Sequence, residues 1–109
     1  MLAIAFAILS ATVAMGAFLL VRGRPGLPIL HGGSGAAGLA CLVVALRAKT
    51  LSGVFAQDAA WLLAAGLCGG LAIATFKARG RPTPGLVLLL HATAGGLAYL
   101  LLAGFVFAH

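Results

Sequence analysis

The chain holds one acidic side chain, Asp58, and no glutamate. Cysteine is almost as scarce. Cys41 and Cys68 stand in no C-x-x-C or C-x-x-C-H pattern, so neither a covalent c-type haem nor a zinc site is indicated, and both read as small packing residues. Charged residues of either sign make up 7% of the chain, while 63% is apolar, a balance that no soluble domain of this length requires. The net charge of +6 would suggest nucleic acid in a soluble protein. Here the cations flank apolar runs, which assigns them to topology and lipid headgroups and excludes nucleic acid as a partner.

Four apolar stretches are present, at 2–21, 27–46, 54–76 and 85–108. Each approaches or exceeds the roughly 20 residues that carry a helix across a bilayer. They do not alternate in polarity, which argues against a transmembrane barrel. The first is not a signal peptide, because Met1-Leu2-Ala3-Ile4 carries no charged side chain and the cations Arg22 and Arg24 follow the stretch. The expected fold is an all-α integral membrane four-helix bundle, a single transmembrane domain over 1–109.

The loop Arg22-Gly23-Arg24-Pro25 recurs as Arg79-Gly80-Arg81-Pro82, and Leu30-His31-x3-Gly35 recurs as Leu90-His91-x3-Gly95. The pattern predicts a duplicated helical hairpin, repeat one at 1–48 and repeat two at 54–109. A unit that enters and leaves on one side gives parallel repeats related by an axis along the membrane normal. Pro25, Pro28, Pro82 and Pro84 cluster where helices two and four begin, where no intrahelical N–H bond is lost. Asp58, near the start of helix three, is expected to complement the helix dipole, and Trp61 to anchor at the interface.

Loops one and three hold Arg22, Arg24, Lys77, Arg79 and Arg81, and loop two holds Arg47 and Lys49, partly offset by Asp58. The more basic side faces the cytoplasm, which puts both termini on the non-cytoplasmic side, in what reads as a bacterial inner membrane.

Ionisable groups inside a membrane span mark function by default. Those within the spans are nearly all histidine, and His31 and His91 are the candidates; His109, at the chain end, reads as interfacial. One face from His31 carries Gly35, Gly38 and Leu42, and the matching face from His91 carries Gly95, Ala98 and Leu102. Two imidazoles beside strips of small residues suit bis-histidine ligation of one haem b, with Gly35, Gly38, Gly95 and Ala98 leaving room for the macrocycle. Arg22, Arg24, Arg79 and Arg81 suit its propionates. Counted from Pro28 and Pro84, the two histidines would differ in depth by about 6 Å. Small residues at this spacing also serve plain helix packing.

The paired histidines with their glycine-rich flanks, in helices two and four, resemble small four-helix b-type cytochromes of the b561 kind. The resemblance implies electron transfer through a bis-histidine haem, with His31 and His91 as the one intramembrane pair. The repeated elements are also similar to those of short duplicated bacterial membrane proteins of unknown role. The length resembles that of small multidrug transporters, but these depend on a membrane glutamate and none is present. Ser10, Ser34 and Ser52 lack an arranged base and acid, so no independent enzyme activity is expected, and Thr12, Thr75 and Thr93 are too sparse to line a channel. The alternative is a non-catalytic accessory subunit of a larger membrane complex, binding lipid, quinone or pigment. Under either reading the partners are the lipid bilayer, other membrane subunits or further copies of the chain, and possible quinone.

Overall fold

A computed structural model describes residues 1–48 and 53–108. Lys49, Ser52 and His109 lie outside the described residues. The chain forms four helices, α1 (Leu2–Val21), α2 (Leu27–Arg47), α3 (Val54–Ala78) and α4 (Gly85–Ala108). Each is long and apolar enough to cross a membrane. The sequence-based bounds hold for α1 and α4. Helix α2 runs one residue further and α3 two, because helical hydrogen bonding continues into the charged residues beyond the apolar run.

Loop geometry fixes where the helices stop. Gly80 has φ +64°, Arg81 N–H donates to Phe76 C=O at 2.9 Å, and Gly80 N–H donates to Lys77 C=O at 3.0 Å. This is a Schellman ending, in which a left-handed glycine lets two carbonyls of the last turn find donors. The first loop ends α1 differently. Arg22 is extended, and the left-handed residue is Gly26 (φ +83°), directly before α2. Pro28 then falls in the first turn of α2, and the Pro84 carbonyl accepts the first bonds of α4, from Val87 and Leu88. One expectation is corrected here. Asp58 makes no capping bond, because α3 starts at Val54 behind Gly53 and has no acid in its first turn, and the dipole's influence fades within that turn.

Packing gives an up-down-up-down bundle. Helix α1 packs mainly on α2 and α3 on α4, while narrower α2–α3 and α1–α4 seams close the ring. Leu9 meets Gly38 and Gly16 meets His31, so α1 and α2 are antiparallel; Gly66 meets Gly95 and Gly70 meets His91, so α3 and α4 are too. Phe6 stacks on Tyr99 (centroids 5.5 Å, planes 8° apart) and meets Phe107 edge-on, which ties α1 to α4. The buried core is Ala5 and Leu9 of α1, Leu42 and Ala45 of α2, Ala56, Ala59 and Leu63 of α3, and Ala98 and Leu102 of α4. It fills the half of the bundle nearer the chain ends. The outer surface is apolar, with Val21, Ile29, Trp61 and Phe107 each more than three-quarters exposed.

Candidate functional site

The other half of the bundle, next to the loops carrying Arg22–Arg24 and Arg79–Arg81, holds the histidines. His31 projects from the second turn of α2 towards α1, where its Nδ1 lies 2.9 Å from the Thr12 carbonyl oxygen. The ring settles on Gly16, one turn further along α1; a Cβ there would stand 2.8 Å from the His31 Cε1. His91 repeats this on α3. Its Nδ1 lies 2.7 Å from the Gly66 carbonyl oxygen, and the residue rests on Gly69 and Gly70, where a Cβ would come within 3.1 Å of the His91 Cβ and 3.3 Å of its Cε1.

A carbonyl can only accept, so each Nδ1 carries the proton and donates it. A neutral imidazole then bears a lone pair on Nε2. Among the described residues no buried side-chain nitrogen or oxygen lacks a partner, so neither Nε2 is sealed into the bundle unsatisfied. The two rings meet across the bundle, centroids 5.8 Å apart and planes at 82°. They come from diagonal helices, since α2 and α4 share no backbone contact within 8 Å. The two rings thus bridge the space between those helices. The depth mismatch counted from the prolines does not keep the rings apart: α2 begins at Leu27 and α4 at Gly85, which halves it to about 3 Å.

Around His31 the polar contacts continue. Thr12 hydroxyl donates to Ser34 Oγ at 2.7 Å, and Ser34 donates to the His31 carbonyl at 3.1 Å. Ser34 thus serves the α1–α2 seam. Deeper in the bundle, the Ser10 and Tyr99 hydroxyls lie 3.1 Å apart.

The small-residue strips divide into two kinds. Gly35 and Gly38 are buried, and neighbours fill the space beside them: Leu67 and Thr12 at Gly35, Leu9 at Gly38. These two glycines admit helix packing and do not face an open slot. On α4, Ala98 is fully buried, but Gly95 has nothing within 4 Å of where a Cβ would stand. Clearance beside the histidine pair is therefore on the α4 side. Arg22, Arg24, Arg79 and Arg81 are exposed around the rim of this end and do not turn into the bundle. Cys41 is half-buried against the core and Cys68 is exposed, with no bond between them.

Compared with protein-family models, curated proteins and solved structures, the chain matches none.

The arrangement is suited to holding an electron-poor centre. An imidazole that binds a metal through Nε2 characteristically donates its Nδ1–H to a carbonyl, which fixes the tautomer and aims the ring. Both histidines meet that condition. Among the described residues no group of three or more histidine, cysteine or acidic side chains is clustered, so the donor set amounts to two imidazoles. Two imidazoles are the protein donors that a b-type haem would take, the group itself bringing the rest.

Sequence reasoning missed the α1 and α3 half of the site, namely Thr12, Gly16, Gly66, Gly69 and Gly70. A signal existed. Ala5, Leu9 and Gly16 recur in order and spacing as Ala59, Leu63 and Gly70, so the surfaces that receive the two histidines resemble each other as the histidine helices do.

Proposed function

We propose that the chain is an integral membrane protein of four spanning helices, built as two parallel-repeat hairpins, and that it serves as a small b-type cytochrome-like subunit. The observation that carries this reading is the pair of imidazoles from α2 and α4, 5.8 Å apart, each with Nδ1–H committed to a carbonyl of its neighbouring helix. His31 and His91 would hold one haem b through their Nε2 atoms. When bound, the haem supplies a one-electron couple. The protein's part is to keep both rings aimed, and to surround them with apolar helices that exclude water. Gly95 offers clearance on one side. Arg22 and Arg24, exposed on the turn that leads to His31, would offer guanidinium groups to the haem propionates. Electron donor and acceptor come from outside the chain, from a partner subunit or a quinone. The five cations of loops one and three assign that end to the cytoplasm and both termini to the opposite side of a bacterial inner membrane.

The test is optical. Protein expressed with ample haem and purified in mild detergent is expected to show a Soret band and, on reduction, sharp α-bands. Their absence would end the haem reading.

A second reading is favoured by the packing at Gly35 and Gly38, which Leu67, Thr12 and Leu9 fill. In it the histidines are staples that fasten α2 to α1 and α4 to α3, and the chain is a non-catalytic accessory subunit. The two readings separate cleanly. A staple predicts a colourless protein that loses stability when either histidine is replaced.

A further inference from the structure

The α3–α4 seam carries a half-open apolar groove of about 360 Å³, lined by Ala65, Gly69, Val87, Leu90, His91 and Ala94. Its α4 wall extends from Val87 to Ala94, about 10 Å at the helical rise. The loop that joins these same two helices carries Lys77, Arg79 and Arg81, all exposed. They are held near the groove by the Schellman ending at Gly80 and by a connection of only six residues, 79–84. From Gly69 in the groove to Lys77 is about 12 Å along α3. The only acid in the chain, Asp58, belongs to the opposite end of α3. No acidic side chain is therefore placed to neutralise these three cations. Exposed Leu86, Leu89 and Leu90 complete an apolar belt directly below them.

From these features we infer a binding site for one anionic phospholipid, its phosphate at Lys77, Arg79 and Arg81 and one acyl chain lying in the groove against Ala65, Gly69 and Leu90. A charged group above an apolar channel selects a ligand with the same division. Lysine and arginine at a bilayer surface favour anionic headgroups over zwitterionic ones. The site rests on the membrane-spanning reading.

The test uses the single tryptophan. In one version Trp61 stays as the reporter at the far end of the bundle. In the other, Trp61→Phe is combined with Leu86→Trp beside the site. Each is reconstituted into vesicles mixing phosphatidylcholine and phosphatidylglycerol, one or the other brominated, and quenching gives the relative affinity of the two lipids at each reporter. Retention in carbonate-washed vesicles is measured first, and a chain that does not insert overturns the membrane reading and this site with it. The expected result is selective quenching by the anionic lipid at the Leu86→Trp reporter, about fivefold for each cation engaged, and little selectivity at Trp61. Arg79→Gln with Arg81→Gln should cut the preference to about the fivefold that Lys77 alone supplies, and Arg22→Gln with Arg24→Gln should leave it. Ala65→Phe, which fills the groove from an exposed position, should weaken quenching by both lipids. Equal selectivity at both reporters, or a preference indifferent to Arg79 and Arg81, would overturn the proposal. So would loss of the preference on loading haem, which would assign these cations to propionates.

Discussion

At the scale of single residues, the site depends on a histidine being received by a glycine. An imidazole among apolar helices has a polar N–H to satisfy, and a helix offers only carbonyls already used along its own axis. His31 and His91 reach such carbonyls on the adjacent helix because glycine beneath the ring allows close approach. The histidines were legible in the sequence as the main ionisable residues of the apolar runs. Their partners were not, since a backbone carbonyl has no residue signature and glycine marks a notch only by what it lacks. The notch can be tested. Gly16→Ala places a methyl 2.8 Å from His31 Cε1 and forces the ring off its carbonyl, whereas Gly32→Ala meets open space. Overpacking of this kind costs about 1–3 kcal/mol. Unfolding titrations in mixed micelles should show Gly16→Ala destabilised by that amount and Gly32→Ala close to the parent.

At the scale of elements, the helices were almost fully legible. Apolar runs of membrane-spanning length have one way to satisfy their backbones, and the prolines mark where two of them start. Helix ends were less so. The repeated Arg-Gly-Arg-Pro implies two alike loops, yet the left-handed glycine is Gly26 in the first and Gly80 in the second. The reason is local: α3 closes with a Schellman ending, whereas α1 passes into an extended Arg22. Identical motifs should therefore respond differently to the same substitution. Gly80→Ala puts a Cβ at φ +64° and should cost about 1–2 kcal/mol. Gly23 has neither a positive φ nor a near neighbour, so Gly23→Ala should be silent in the same titration. Asp58 shows a further limit. Proximity to a helix start was visible in the sequence, but Asp58 lies five residues past the N-cap Gly53, beyond the first turn.

At the scale of the whole molecule, the bundle divides into a packed half near the chain ends, built on Leu9, Leu42 and Leu102, and a looser half near the basic loops that holds the histidines. Hydrophobic spacing indicated that Gly38, Leu42, Ala98 and Leu102 face inward, and they do. It could not say that the strip on α2 would be filled by Leu9 and Leu67 while Gly95 stayed clear, because that depends on which helices become neighbours. The placement of Gly23 and Gly80 on one end of the molecule makes a topology prediction. Cysteines introduced at these two positions should react with a membrane-impermeant maleimide only after the inner face is exposed, and labelling of intact cells at either position would reverse the orientation. The central claim concerns the diagonal pair of imidazoles, and the haem content per chain tests it most directly. The account predicts close to one haem per native chain and almost none in His31→Ala or in His91→Ala, with helicity retained in both. A native chain without haem, or haem content unchanged in both variants, would contradict it.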